Sequence, residues 1–250
     1  MSSANESQSF EKARNETISY HKLYYSRHQL FDEDSWLAKP DAGLMKLVEE
    51  NLLPGLDGSR QQPLQILDLG CGVGRNAIPV AMAIIRADVP AKITCVDVLD
   101  QSIVLLMQNC ITYGAEDLIE GVVADNDAYA ILPGHFDLIA AISVVEHCAG
   151  RGKVLKLLKA IAAGLKPGGL VRIEMTTDRN VIDLGTKQAV PTHVETPLTE
   201  RQVKSMLDEA FKDFEVLTLD VFPYKEVLDK DGKKILWQSK QVSFSARAKQ

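Results

Sequence analysis

Ile66-Leu-Asp-Leu-Gly-Cys-Gly-Val-Gly-Arg-Asn-Ala77 decides the fold. Leu64 to Leu69 is an apolar run of strand length that holds an acid, Asp68, and breaks into glycines at alternate positions, Gly70, Gly72 and Gly74. A helical pattern begins near Arg75. Glycine opens backbone conformations closed to other residues and leaves room for a ligand against the main chain. A turn that feeds a helix also presents free N–H groups to a negatively charged group such as a carboxylate. The plain alternative is a tight strand-to-helix connection with no ligand. A dinucleotide fingerprint places its third glycine three residues after the second. Here Gly74 follows Gly72 after two, and no phosphate-cradling lysine follows.

Outward from this stretch the chain alternates strand and helix. Arg75–Ala87 reads as a helix with Pro79 in its first turn, where a missing N–H costs little. Lys92–Val96 reads as a strand ending at Asp97, Asp100–Tyr113 as a helix closed by Gly114, Leu118–Ala124 as a strand ending at Asp125, and Phe136–Ile142 as a fourth strand. Lys153–Leu165 carries Val154, Leu157, Leu158 and Ile161 at helical period. A turn at Lys166-Pro-Gly-Gly169 leads into a strand over Leu170–Met175, and Thr176 to Pro197 reads as irregular. Thr199 and Gln202 form a capping box for a helix to about Lys212. Phe214–Phe222 and Ser239–Ala246 read as an antiparallel pair about a turn at Asp229-Lys-Asp-Gly232. Such alternation predicts a parallel sheet covered on both faces. Ahead of it, residues 1–15 are polar and expected to be mobile without a partner. Residues 16–60 hold an aromatic span, Tyr20, His21, Tyr24, Tyr25, His28, Phe31 and Trp36, and a helix capped by Asp41 that runs to about Leu53. Residues 61–250 are expected to form the main domain.

Composition narrows the function classes. Hydrophobic residues at 46% and charged residues at 25% of 250 are ordinary for a globular chain. A net charge of −6 argues against a broad phosphate-binding surface, so nucleic acid is not the expected partner. There is no apolar run of bilayer length and no basic-then-apolar start, so neither membrane nor export is expected. Cys71, Cys95, Cys110 and Cys148 are scattered and read as reduced thiols of a cytoplasmic protein. They, and His21, His28, His135 and His193, show no metal-ligand spacing. Oligomeric state is not legible.

The run Asp68-x-Gly70-x-Gly72-x-Gly74 resembles motif I of the class I S-adenosylmethionine (SAM) methyltransferases. The element order over Leu64 to Ala248 resembles that family's α/β fold: a Rossmann-like, doubly wound, seven-stranded sheet, mostly parallel with an antiparallel last strand, helices on both faces. Gly72-Val-Gly-Arg-Asn-Ala77, Trp36-x-x-x-Pro40 and Phe244-Ser-Ala-Arg247 resemble the tellurite-resistance type within it. The longer spacing before the second strand departs from that type.

The resemblance implies SAM as cofactor. Gly70, Cys71, Gly72 and Gly74 would wrap its methionine end, with Asp68 supporting the loop or facing the ammonium through water. Arg75 and Asn76 would lie near the carboxylate and the adjoining backbone. Asp97 would accept the ribose hydroxyls, Asp125 and Asn126 would meet adenine, and Val98 and Val144 would wall the ring. Ser143-Val-Val-Glu-His147 sits where acceptor and methyl group meet, so Glu146 or His147 can take a proton. Tyr20, Tyr24, Tyr25 and Trp36 read as a lid or substrate wall, or equally as a helix face packed on the sheet. Each acid also has a plain reading as a cap, Arg75 as a surface pair, and His147 as a packed strand-end residue. No Asn/Asp-Pro-Pro-aromatic motif and no Pro-Cys pair is present, against amino-base and cytosine-carbon methylation. The expected activity is in-line methyl transfer to a small-molecule acceptor. Three alternatives stay open: a SAM-binding subunit without turnover, a protein or RNA methyltransferase, and a nicotinamide-dependent oxidoreductase.

Overall fold

The computed structural model of the chain describes the backbone of residues 2–190, 194–230 and 232–250, and the side chains of these apart from 2–7 and 228–230. In order its elements are α1 (Ser2–Arg27), α2 (Ala42–Leu47) continued by a π turn over Val48–Leu52, β1 (Leu64–Leu69), α3 (Ala77–Arg86), β2 (Ala91–Asp97), α4 (Asp100–Tyr113), β3 (Ile119–Val123), β4 (Phe136–Ile142), a single 3₁₀ turn over Val145–His147, α5 (Arg151–Gly164), β5 (Leu165–Asp183), α6 (Glu200–Ala210), β6 (Phe214–Lys230) and β7 (Lys233–Ala248).

The seven strands lie in the order β3-β2-β1-β4-β5-β7-β6. β1 to β5 are mutually parallel, and β7 runs antiparallel between β5 and β6. This is the expected architecture. The order reverses between β1 and β4, so their carboxyl ends open a crevice at the switch point. Side chains alternate across the sheet into two cores. Leu138 and Ala140 of β4 join Ile66, Ile93, Ile78 and Leu106 on the face covered by α2, α3 and α4. Ile139 and Ala141 join Leu67, Val171, Leu158, Leu207 and Phe244 on the face covered by α5 and α6.

Local chemistry explains most boundaries. Gly114 takes φ +67 and closes α4 with its N–H on Cys110 and Ile111 carbonyls, the left-handed cap that glycine favours. Thr199 and Gln202 form the expected reciprocal capping box of α6. Asp41 caps α2, accepting the Leu44 N–H at 2.6 Å.

The structure departs from the sequence reading in three places. β5 is not confined to Leu170–Met175. It absorbs the expected turn at Lys166–Gly169, where Gly168 takes φ +75, and continues through Thr176 to Asp183. The reason is a partner rather than a pattern: β7 pairs Met175 with Val242 and, past a register shift, Asn180 with Gln238 and Asp183 with Ile235. Backbone pairing sustains a strand whose polar side chains carry no alternation. β6 and β7 likewise run beyond Phe214–Phe222 and Ser239–Ala246 by pairing with each other out to Lys230 and Lys233; Asp231 of the expected turn, like Met1 and His193, lies outside the described residues. Finally, α1 runs unbroken across residue 15, where the sequence reading places a division. Ala13 is buried and Arg14 ion-pairs with Asp125 beyond β3, so contacts with the main domain begin before the aromatic span does.

One charged cluster joins the N-terminal segment to the sheet. Arg172 of β5 donates from Nε to Asp41 Oδ1 at 2.7 Å, from Nη2 to Asp41 Oδ2 at 3.0 Å and from Nη1 to the Ser243 hydroxyl at 2.6 Å. The Asp41 backbone N–H donates to Asn76 Oδ1 at 2.9 Å, tying the same residue to the start of α3. Burial by itself would raise the Asp41 carboxyl, but Arg172 outweighs it and holds the group below the usual carboxylate range. The paired side chains are 5% and 9% exposed. Removing one partner of so buried a pair leaves the other charge uncompensated, which costs about 3–5 kcal/mol. Arg172→Met is therefore expected to lower the urea unfolding midpoint by an amount equivalent to about 3–5 kcal/mol with an unchanged slope; a midpoint within error of the wild type would refute this role.

Candidate active site

The glycine loop between β1 and α3 is shaped by the protein's own packing. Gly70, Gly72 and Gly74 take φ +68, +53 and +97. A Cβ on Gly70 would lie 2.5 Å from Val144 Cγ2, one on Gly72 would lie 2.7 Å from the Tyr25 hydroxyl, and one on Gly74 would lie 2.7 Å from Leu106 Cδ1. All three positions are closed to larger residues twice over, by conformation and by space.

The acids around the loop divide the work differently from expectation. The N–H groups of Gly70 and Cys71 go to the Val96 carbonyl at 2.8 and 3.1 Å, and the Gly72 N–H goes to Asp97 Oδ2 at 2.9 Å. Asp97 Oδ1 accepts the Leu99 N–H, also at 2.9 Å. Asp97 is thus the residue that caps the loop. Asp68, the expected alternative for that task, is 3% exposed, and its Oδ2 has no hydrogen-bond partner. Burial pushes its carboxyl up to about 7, against the opposing pull of Arg75. Burial also raises Asp97, with the Leu99 and Gly72 N–H groups opposing it.

A cleft with a cavity volume of about 100 Å³ opens over the carboxyl ends of β1, β2 and β4. Of the residues singled out from sequence, Gly70, Asp97, Val98, Asp125, Asn126, Ser143, Val144 and His147 line it. Ser143 holds φ +53 at the end of β4, a strained conformation of the kind that clusters at functional sites. Asn126 Oδ1 is buried and without a partner. Asp125 accepts the Asp127 N–H through Oδ1 at 3.0 Å and the Arg14 guanidinium through Oδ2.

The remaining candidates stand elsewhere. Asn76 is spent on the Asp41 N–H. Arg75 lies over the Trp36 ring at 5.5 Å and reaches the Trp36 carbonyl at 3.4 Å. Glu146 is 1% exposed and accepts the Thr176 N–H at 3.0 Å, with Arg179 at 3.8 Å. That geometry makes it a buried brace for β5 rather than a wall of the cleft. Cys71 is a buried thiol raised well above its ordinary range by burial, and therefore inert. Tyr24 stacks on Trp36 at 5.1 Å and accepts the Trp36 N–H at 3.1 Å, and Tyr20 is 53% exposed. This cluster staples α1 to the turn before α2. Only Tyr25, through its hydroxyl at Gly72, reaches the loop.

The face of α1 that does roof the cleft was not singled out from the sequence. Arg14, Thr17, Ile18 and His21 line it, at the i, i+3, i+4, i+7 spacing of one helical stripe; that spacing was the available signal. His21 Nδ1 meets the Thr17 carbonyl at 2.9 Å, and burial lowers its pKa. Glu195, from the stretch read as irregular, completes the wall. Its Oε1 lies 3.1 Å from His147 Nδ1, and its side chain is 2% exposed. Burial would raise Glu195, but His147 and the Thr17 hydroxyl bring it down to about 2. Burial would lower His147, but Glu195 and Glu146 outweigh it and raise the ring's pKa.

With this geometry in view, comparison with known proteins is informative. Residues 66–169 match the family described as "Methyltransferase domain". Over that stretch the chain is similar to methyltransferase domains. The chain has the fold of the class I SAM-dependent methyltransferases. TehB from Haemophilus influenzae superposes with TM-score 0.57 at 20% identity, over 92% of this chain and 67% of TehB. N-methyltransferase NodS from Bradyrhizobium japonicum WM9, solved in complex with S-adenosyl-L-homocysteine, superposes with TM-score 0.53 at 15% identity, over 92% and 99%. The [4+2]-cyclase SpnF gives TM-score 0.57 at 18% identity, over 87% and 84%. Among curated sequences, ajmaline N-methyltransferase of Rauvolfia serpentina is 25% identical over 49% of this chain and 41% of its own length. An uncharacterized protein of Synechococcus sp. is 30% identical over 44% and 24%. The chain therefore spans less than half the length of the curated relatives it matches.

Two predictions follow from the loop. Gly72→Ala forces a side chain into a left-handed conformation against the Tyr25 hydroxyl and is expected to cost about 1–3 kcal/mol, with part regained in the Gly72→Ala/Tyr25→Phe double variant; thermal melts of the four-member cycle read it. Asp68 is held near 7 in the folded chain and titrates near 3.9 unfolded, so the folded state binds the extra proton between those values. Stability from this group is present at low pH and lost as pH rises through about 7; urea midpoints of Asp68→Asn across that window are expected to show a flatter pH dependence than the wild type.

Proposed function

We propose that this chain is a SAM-dependent methyltransferase that acts on a small-molecule acceptor. The observation that carries the reading is Asp97: it fixes the glycine loop through the Gly72 N–H at 2.9 Å while lining the cleft at the switch point. Each carboxylate oxygen accepts one backbone N–H and keeps a further lone pair, which suits the paired hydroxyls of a ribose. The unpartnered Asn126 Oδ1 is an acceptor for an amino group such as that of adenine, with Asp125 beside it. Val98 and Val144 supply apolar walls, and the loop from Gly70 to Gly74 receives the methionine end. These residues fit the cofactor that the fold family uses.

When bound, SAM supplies a methyl group on a positively charged sulfur. The chain's own residues then have three tasks: to align the acceptor, to exclude water and to take up a proton. Alignment of reactants supplies on the order of 7–11 kcal/mol in well-oriented systems, so no protein nucleophile is needed. We assign exclusion of water to residues 16–60 together with the preceding turns of α1, and the methyl-transfer chemistry to residues 61–250.

A small acceptor is supported by the bounded cleft, its helical roof and the net charge of −6. Four free, buried cysteines support a reducing, cytoplasmic setting, and among the described residues no helix is long and apolar enough to cross a membrane. The likeness to a cyclase makes binding and turnover separate questions. Calorimetric titration of SAM into the folded chain is expected to show saturable binding, and Asp97→Asn to weaken it by about tenfold or more with an unchanged circular dichroism spectrum. Undiminished affinity would reject the ribose assignment, and no binding by the wild type would reject the cofactor reading.

A further inference from the structure

The roofed end of the cleft holds a built anionic site. Glu195 is 2% exposed at its side chain, its carboxyl is held in the charged form by His147 and Thr17, and its Oε2 has no hydrogen-bond partner. A buried carboxylate oxygen left unpaired carries a desolvation penalty that a donor must offset. His147 stands against the other oxygen with Nδ1 at 3.1 Å, which leaves Nε2 as the ring nitrogen facing away from the carboxylate. The neighbours that line the same end are Thr17, Ile18 and His21 from α1. They offer an apolar methyl surface and an imidazole whose pKa burial lowers; Arg14, which also lines the cleft, is paired with Asp125.

We propose that Glu195 and His147 form the acceptor subsite, and that the acceptor is a nitrogen base carrying N–H groups. This rests on the cofactor reading above and names the substrate class of that same site. Glu195 Oε2 takes an N–H of the acceptor, an interaction a neutral ether, thioether or carboxylate cannot make. An ammonium form cannot attack, so the neutral His147 ring, with its Nδ1–H toward Glu195, first accepts that proton at Nε2. The freed nitrogen lone pair forms the N–C bond while the C–S electron pair stays with sulfur. The proton remaining on the methylated nitrogen is carried as product charge or released through the same ring once that has returned its first proton to solvent. Glu195 is a positioning residue toward His147 as well as a contact for the acceptor, because its charge sets the ring's proton affinity.

The groups facing His147 are Glu195 and Glu146, which raise its pKa, and Arg179, which lowers it. Arg14 Nη1 lies 3.4 Å from its carbonyl, and the His21 ring on α1 is near enough to feel its charge. With Glu195 neutralised, the imidazolium loses its main support, so the ring titrates lower.

The test uses the full chain loaded with S-adenosyl-L-homocysteine, with benzylamine as probe and benzyl alcohol as its neutral counterpart. Benzylamine is expected to bind at least about tenfold more tightly than the alcohol, and Glu195→Gln to abolish that preference while S-adenosyl-L-homocysteine affinity stays unchanged. In the same samples, the NMR titration of the His147 ring is expected to move to lower pH in Glu195→Gln. Equal binding of amine and alcohol, an amine preference that survives in Glu195→Gln, or an unmoved His147 titration would each overturn the subsite while leaving the cofactor reading intact. Failure of the wild type to bind S-adenosyl-L-homocysteine would instead overturn the cofactor reading, and the acceptor assignment with it.

Discussion

Asp41 is the point on which this architecture turns. Its carboxylate takes the Arg172 guanidinium from β5 and the Leu44 N–H that begins α2, and its own N–H goes to Asn76 at the head of α3. One residue thereby joins the sheet, the N-terminal segment and the far end of the glycine loop. The pair is buried, so its attraction is little screened by solvent, and its geometry is fixed by a bidentate fork. Gly43 sits directly under it, where a Cβ would lie 2.5 Å from Arg172 Cζ.

The glycine loop shows how one constraint serves fold and chemistry together. Its conformation satisfies packing against Val144, Tyr25 and Leu106, and its N–H groups are consumed by Val96 and Asp97. The loop therefore owes its shape to the protein itself, and the polar groups left over in the cleft are the second lone pairs of Asp97, Asn126 Oδ1 and Glu195 Oε2. Polar atoms buried without partners are rare because they cost stability. Asn126 Oδ1 and Glu195 Oε2 are two such atoms on the wall of this cleft, and they give it a chemical character as well as a shape.

The division of labour among the carboxylates follows from the same accounting. Asp68, Asp97, Asp125 and Glu146 all sit at or beyond strand ends in the sequence, and nothing in their local pattern ranks them. In the folded chain Glu146 braces β5, Asp68 is sealed beneath the loop, Asp97 fixes the loop, and Asp125 is claimed by Arg14. The partners lie 25 residues from Asp97, 30 from Glu146 and 111 from Asp125, and no local pattern carries that information.

Read alone, the sequence determined the alternating α/β order, the sheet with its antiparallel insertion, the glycine loop and the acids Asp97 and Asp125 of the cleft, because periodicity, turn chemistry and capping act over a few residues. Arg14, Thr17, Ile18 and His21 also fall on one helical stripe, although the polar composition of residues 1–15 reads as mobile. Only the tertiary structure decided that β5 runs on to Asp183 along β7, that Tyr24 and Trp36 staple rather than line, and that Glu195 reaches His147. Those outcomes depend on pairing and burial between distant segments, and the physical reason is that a side chain's role is set by the partner that removes it from water.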